Sequence, residues 1–298
     1  MRLLITGGTG FIGQALCPLL LQQGHQVVLW SRQLQPRLPQ GVGEYVNQLQ
    51  ALESNSIDAV INLAGAGIAD RRWSEARKKE LVNSRVHTTR QLVQWMQGQE
   101  QPPGVLISAS AVGYYGDQGS KEITEETLPV PGFTHDLCAA WEEAALAAEA
   151  LGVRVCLVRT GVVLDQGGGS LKKMLPAFKL GLGGPLGSGR HWFPWIHRED
   201  MARIYLWLVE NQEQRGAFNA SAPWPATNAE FTRCLGKALK RPAVLPMPAP
   251  VLKILFGEMA ELLLASDRML PTRLQQAGFE FNYPKLEPAL ARIFGSKD

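Results

Sequence analysis

The amino-terminal residues Met1-Arg-Leu-Leu-Ile-Thr-Gly-Gly-Thr-Gly-Phe-Ile-Gly13 leave the chain few folds to adopt. Arg2 to Thr6 is a short apolar run of the kind a buried parallel strand needs. It breaks into Gly7, Gly10 and Gly13, then into a helical pattern with Ile12, Leu16, Leu19 and Leu20 on one side. Strand, glycine turn and helix in that order form a phosphate cradle. One glycine turns the chain tightly, another admits a pyrophosphate to the backbone, and a third lets helix and strand pack closely. The free N–H groups and positive dipole end of the helix then face the anion. A glycine pattern alone is weak, because many strand-to-helix loops are glycine-rich. Here a second strand, Gln26 to Trp30, closes a unit of about thirty residues. A dinucleotide site is therefore expected, with Gly7, Thr9, Gly10, Phe11, Ile12 and Gly13 around the phosphates.

The second strand ends at Ser31-Arg32, and no Asp or Glu follows Trp30 until Glu44. An acidic residue there would bind the 2′-hydroxyl of NAD, whereas an arginine suits a 2′-phosphate. A charge-assisted bond from Arg32 to that phosphate would contribute about 1.5–3 kcal/mol. A solvated surface arginine is the alternative reading. NADP(H) is the expected cofactor.

Further along, 33–55 reads as loop and weak strand bordering the adenine. Asp58 to Gly65 reads as a strand whose end, Leu63, Ala64 and Gly65, leaves room for a cofactor. Trp73 to Gln97 reads as one long helix, Val105 to Ser108 as a strand and Val153 to Val158 as another. This alternation predicts an α/β, doubly wound parallel sheet with its ligand beyond the carboxyl ends of the strands. Arg159, Gly161 and Val162 should pass near the nicotinamide, with backbone groups holding its carboxamide. The expected division is a dinucleotide-binding domain over 1–167, rejoined by 196–222, and a smaller α+β substrate domain from 168–195 and 223–298. The joint is placed at Gln166 to Gly169. Lys172 to Leu180 is an amphipathic helix, and the loop Gly181 to Gly189 is a mobile lid or an anion cradle. His191, Trp192, Phe193 and Trp195 supply stacking surface or core. Helices follow from Asp200 to Glu210, from Thr227 to Leu239 with Asn228 as N-cap, and from Val251; a strand is expected at Phe218 to Ser221.

Several stretches occur together in one order: Thr6 to Gly13, Asn62-Leu-Ala-Gly65, Ser108-Ala-Ser110 with Tyr115-Gly116, Thr124-Glu-Glu126, Arg159-Thr-Gly-Val-Val-Leu164 and Phe193-Pro-Trp-Ile-His197. With Gly181 to Gly189 and the last fifty residues, the chain resembles the extended short-chain dehydrogenase/reductases, in the subgroup called "epimerase family protein". The resemblance covers nearly the full length. It implies a Rossmann domain, NADP(H), a C-terminal substrate domain and a small-molecule substrate. Such enzymes place a serine on the preceding strand, matched by Ser110, with Ser108 at the cofactor. They also place a Tyr and a Lys four residues apart on one helix face, where the lysine holds the ribose and the tyrosine exchanges a proton. Registered on Glu142, this chain has Thr134 and Cys138 there, and neither can do that work. Arg85 falls where the family has a helix asparagine and could supply the missing charge, oriented by Glu80. Tyr114 and Tyr115 could replace the phenol, or simply pack at the strand's end; His135 borders the degenerate pair. Two readings follow: an oxidoreductase or epimerase-like enzyme acting on a polar, sugar-like or nucleotide-linked molecule, and an NADP(H)-binding redox sensor or partner-binding module.

The 298 residues are 45% hydrophobic and carry a net charge of +3, which gives no case for nucleic acid. Cys17, Cys138, Cys156 and Cys234 share no short spacing, so free thiols in a reducing compartment are expected, with no metal site. There is no secretory pattern, and no apolar run reaches the roughly 18 residues of a spanning helix. Lys253, Glu258 and Glu261 interrupt the nearest candidate, Leu252 to Leu264. The expected address is cytoplasmic, without a membrane partner; homo-oligomerisation is left open.

Overall fold

Leu3, Leu4 and Ile5 are completely buried in the first strand because both faces of that strand are covered. The computed structural model describes residues 1–53 and 56–295. Ser54 and Asn55 of the expected adenine-side loop, and residues 296–298 of the expected second domain, lie outside the described residues. Along the chain, strands β1 (Arg2–Thr6), β2 (Gln26–Trp30), β3 (Glu44–Val46), β4 (Ala59–Asn62) and β5 (Val105–Ala111) precede the short β6 (Glu122–Ile123). Then come β7 (Arg154–Thr160), β8 (Val162–Leu164), β9 (Trp192–Phe193), β10 (Trp195–His197), β11 (Gly216–Ala220), β12 (Ala226–Thr227) and β13 (Arg268–Met269).

Seven of these form one sheet in the order β11-β7-β5-β4-β1-β2-β3, with every neighbouring pair parallel. The winding reverses between β1 and β4, and loops that diverge there open a crevice at the carboxyl ends of the strands. One face of the sheet, including Leu3, Ile5 and Ile61, packs on Leu16 and Leu20 of α1 (Gly13–Gln22) and on Ile204 and Leu208 further along the chain. Leu4, Val60 and Leu106 point the other way, toward Leu92, Met96 and Ala145. This alternation within continuous apolar runs is the signature of a sheet covered on both sides.

The long helix expected from Trp73 is α2 (Glu75–Val82) and α3 (Thr88–Gln97), joined by a π-helical turn at Asn83–His87. The Ser74 side chain caps it by accepting from the Arg77 N–H. After α4 (Phe133–Leu146), α5 (Gly169–Lys179), α6 (Arg198–Glu210), α7 (Asn228–Leu239) and α8 (Ala249–Phe256), a helix at Leu286–Phe294 completes the larger elements. Leu171, Leu175 and Phe178 of α5 pack with Phe231 and Leu235 of α7 and with Leu290 in a separate apolar cluster.

Three local expectations change. β5 runs three residues past its expected end at Ser108, to Ala111, and so carries Ser110, as the resemblance implies. α6 begins at Arg198, and Asp200 is fully buried inside it, accepting from the Asn282 and Tyr283 backbone N–H groups at 2.8 Å each. The cap of α7 is Thr227, which forms a capping box with Glu230. Asn228 is instead buried, its side-chain oxygen accepting from Leu186 N–H at 2.8 Å.

Candidate functional site

A groove of about 330 Å3 runs over the carboxyl ends of β1, β2 and β4. Gly7, Thr9, Gly10, Ser31, Arg32, Leu63, Ala64 and Gly65 all line it, joined by Thr88 and Gln91 from α3, and none of its lining residues is acidic. Gly7 holds φ +67°, and a Cβ there would lie 2.6 Å from the Leu63 carbonyl oxygen, so only glycine makes this turn at this distance from β4. A Cβ on Gly13 would overlap the Gly8 backbone, which is how helix and strand approach closely. The head of α1 has no side-chain cap and no acidic residue in its first turn. Uncapped N–H groups, a positive dipole end and a cationic rim at Arg32 are the features a pyrophosphate with an additional phosphate requires. The residues present fit a dinucleotide.

Polar staples beneath the groove hold its floor. Thr6 Oγ1 donates to Asn62 Oδ1 at 2.7 Å, Asn62 Nδ2 donates to Thr89 Oγ1 at 2.8 Å, and Ala64 N–H donates back to Thr6 Oγ1 at 3.2 Å. Trp141 Nε1 donates to the same Thr89 hydroxyl at 3.1 Å, tying α4 into the network. Sequence reasoning missed this set. Its only signal was polar residues ending the apolar runs of β1 and β4.

Arg85 is not part of the groove lining but lies against Gly65, which is. Its Nη1 donates to Leu81 O at 3.2 Å, and a Cβ on Gly65 would fall 3.1 Å from its Cζ. The guanidinium sits 5.2 Å over the Trp141 ring, and burial holds its pKa below the ordinary value. Glu80 does not orient it. Glu80 is exposed and pairs with Arg77 at 2.7 Å, because a three-residue step on the helix brings those two side chains together. Thr134 and Cys138 do share one face of α4: a Cβ on Gly113 would meet Thr134 Cβ at 3.0 Å and Cys138 Sγ at 3.7 Å. Burial pushes the Cys138 thiol up to about 12, with the Glu142 charge adding to the rise.

Ser110 is buried, and its hydroxyl donates to Glu142 Oε1 at 2.6 Å. Glu142 is also gripped by Arg159, from Nε to Oε1 at 2.9 Å and from Nη2 to Oε2 at 2.8 Å. Burial pulls the Arg159 guanidinium down, but the bonds to Glu142 and Tyr115 outweigh it and hold the group above its usual value. The Arg159 side chain thus belongs to a buried ion pair, a role beyond the backbone one expected of it. Tyr115 is fully buried, donates to Asn219 Oδ1 at 2.6 Å and accepts from Arg159 Nη1 at 3.0 Å. Burial pushes its phenol up to about 12, and it has no opening to a substrate. Tyr114 differs. It is half-buried, its ring lies 3.4 Å from the Arg159 Cζ, and its hydroxyl has no hydrogen bond among the described residues.

Other expected positions serve the framework. The Ser108 hydroxyl is fully buried and bonded to Asn62 Nδ2 at 3.3 Å, because its strand position points it into the protein. The N–H groups of Gly161 and Val162 donate to Ala220 O and Pro194 O, so neither N–H is free for a carboxamide. Phe11 packs against Gly168 and Gly169 and the core, with Arg198 5.0 Å over its ring, while Ile12 precedes α1 and packs against the core. Among the described residues no cluster of side chains could hold a metal ion.

A doubly wound sheet with a glycine cradle at the switch point defines a Rossmann-type nucleotide-binding protein. Residues 3–221 match the NAD dependent epimerase/dehydratase family, and residues 247–293 match a domain of unknown function, DUF1731. The chain belongs to that epimerase/dehydratase family. It is 42% identical over 302 aligned residues to the epimerase family protein SDR39U1 of Mus musculus, covering 98% of this chain and 99% of that one. The crystal structure of human SDR39U1 (isoform2) with NADPH superposes with a TM-score of 0.90 at 39% identity, covering 98% of this chain and 99% of the human one. The nucleoside-diphosphate sugar epimerase of Corynebacterium glutamicum gives a TM-score of 0.79 at 31% identity, over 99% of this chain and 58% of that one.

Proposed function

We propose that the protein is an NADP(H)-dependent oxidoreductase of the epimerase type, acting on a small polar, sugar-like or nucleotide-linked substrate. The observation that carries the reading is the groove: a glycine turn and Arg32 share one lining that contains no carboxylate, and the turn leads directly into the uncapped head of α1. The NADPH in the human relative's structure supports the cofactor, and the Corynebacterium epimerase supports the substrate class. Ser31 and Arg32 receive the 2′-phosphate, residues 7–13 the pyrophosphate, and 63–65 the sugar beyond it. When bound, the nicotinamide supplies a hydride donor or acceptor at C4.

The remaining chemistry belongs to the chain. Arg85 provides the positive charge that a lysine provides in the commoner enzymes. The Ser110 proton is committed to Glu142, so its oxygen accepts from a substrate hydroxyl and orients it. In the reducing direction a carbonyl takes hydride at carbon, and Tyr114, with its hydroxyl unengaged, gives the proton at oxygen. Residues 168–195 and 223–298 form the substrate side. Four unpaired thiols suit a reducing compartment such as the cytoplasm.

A second reading, an NADP(H)-binding redox sensor without turnover, is favoured by Thr134 and Cys138 at the pair positions and by the sequestered Tyr115. Stopped-flow oxidation of NADPH against a panel of carbonyl metabolites separates the two. Turnover abolished by Tyr114→Phe and weakened by Ser110→Ala supports the enzyme; tight binding without consumption across the panel refutes it. Calorimetric titration of Arg32→Ala should lose about ten- to a hundredfold in NADPH affinity and little in NADH affinity. Equal losses would remove the NADP(H) assignment.

A further inference from the structure

Charge is unevenly spread along this chain, which carries 30 Lys and Arg against 27 Asp and Glu overall. Residues 166–198 contain five cations (Lys172, Lys173, Lys179, Arg190, Arg198) and no carboxylate. Residues 231–257 contain five more (Arg233, Lys237, Lys240, Arg241, Lys253), again with none. The fold lays parts of these two segments side by side. Leu245 N–H donates to Gly183 O at 3.1 Å, Met247 N–H to Pro185 O at 2.9 Å, and Arg241 Nε to Lys179 O at 3.1 Å.

These two segments also carry many of the chain's exposed large apolar side chains. Leu180 is 75% exposed, Val244 and Ile254 are 74% each, and Leu182 is 59%. α8 buries Leu252 alone, leaving Val251, Ile254 and Leu255 in solvent. Lys179, Lys240, Arg241 and Lys253 stand in the same segments, and none of the four forms an ion pair among the described residues. Exposed apolar side chains gathered on adjoining segments of a folded protein mark a docking site.

We propose that this surface docks the protein on an anionic lipid bilayer, with Leu180, Leu182, Val244 and Ile254 entering the headgroup region and the four cations meeting lipid phosphates. Apolar side chains that are three-quarters exposed stand clear of the surface instead of lining a cleft. They suit a deformable medium better than a protein partner, whose anchors seat in pockets. A second copy is disfavoured because a two-fold contact would set the same cations against each other. Peripheral docking needs no long apolar run along the chain.

The test is co-sedimentation of the full chain with phosphatidylcholine vesicles, with and without phosphatidylserine, at low and physiological salt. Binding should strengthen with phosphatidylserine and weaken with salt. Lys240→Gln with Lys253→Gln should reduce it about 25-fold, at about fivefold per cation. Ile254→Ser, and independently Leu182→Ser on the neighbouring segment, should each reduce it while melting temperature and NADPH titration stay at wild-type values. Binding that ignores both phosphatidylserine and the lysine changes overturns the proposal. So does a concentration-dependent dimer abolished by Ile254→Ser, or capture of an acidic protein, without vesicle binding. Vesicle binding is the readout and NADPH titration only a folding control that melting temperature can replace, so this proposal and the enzymatic one fail separately.

Discussion

Glu142→Gln would leave the Arg159 guanidinium, whose side chain is 6% exposed, without its countercharge. In the native protein that pair makes two bonds, at 2.9 and 2.8 Å, and Glu142 also accepts from Ser110 at 2.6 Å. Removing one partner of a buried pair costs about 3–5 kcal/mol, because the survivor stays desolvated. At roughly 2–4 °C per kcal/mol for a chain of this size, the melting temperature should fall by about 6–20 °C. Glu142→Leu combined with Arg159→Met removes both charges and should recover most of that loss, since apolar residues of similar volume commonly replace such pairs without penalty. Scanning calorimetry on the single and double variants reads both numbers. NADPH titration checks that the glycine-lined groove, which shares no residue with the pair, keeps its affinity. A single substitution costing under about 1 kcal/mol, or a double variant no better than the single, would refute the view of this network as a desolvated ion pair.

Gly10→Ala would place a Cβ 3.0 Å from the Gly7 carbonyl oxygen, inside the groove. The protein should fold, and NADPH affinity should drop about tenfold or more, the worth of one bond to a charged group; unchanged affinity would move the pyrophosphate elsewhere. Burial, with Asp117 nearby, pushes the Asp267 carboxyl up to about 8 from 3.8. The folded protein therefore holds a proton that the unfolded chain has released, and stability falls as pH rises from about 4 to about 8. Asp267→Asn should match wild type near pH 4 and exceed it near pH 8 by on the order of a few kcal/mol in chemical denaturation; a difference independent of pH would refute this. Burial pushes Cys17 and Cys138 up to about 12 and Cys156 to about 11, whereas Cys234 is only half-buried. Iodoacetamide on the native protein should mark Cys234 first and all four only after unfolding. Fast labelling of Cys138 would contradict its burial.

The nucleotide-binding half was readable because its signals are local. Gly7, Gly10 and Gly13 act within one turn, Arg32 follows its strand directly, and the apolar runs of β1, β4 and β5 announce strands covered on both faces. Glu80 was misassigned for the same reason, since several arginines lie within reach along one helix and only geometry shows that Arg77 takes it. Tyr114 and Tyr115 are adjacent in sequence yet opposite in circumstance. One has an unengaged hydroxyl, and the other is bonded to Asn219, 104 residues away.

Short-range patterning thus settled the α/β class, and it pointed to a phosphate cradle at residues 7–13 and to Thr134 and Cys138 where the resemblance expects a Tyr and a Lys. Tertiary structure alone decided that Ser110 is tethered through Glu142 to Arg159, that Thr6, Asn62 and Thr89 brace the groove, and that parts of two acid-free segments lie side by side with apolar side chains exposed. Each of those depends on which distant residues share a buried space, and desolvation there sets the strength of every charge and hydrogen bond. Periodicity along a chain carries no record of that.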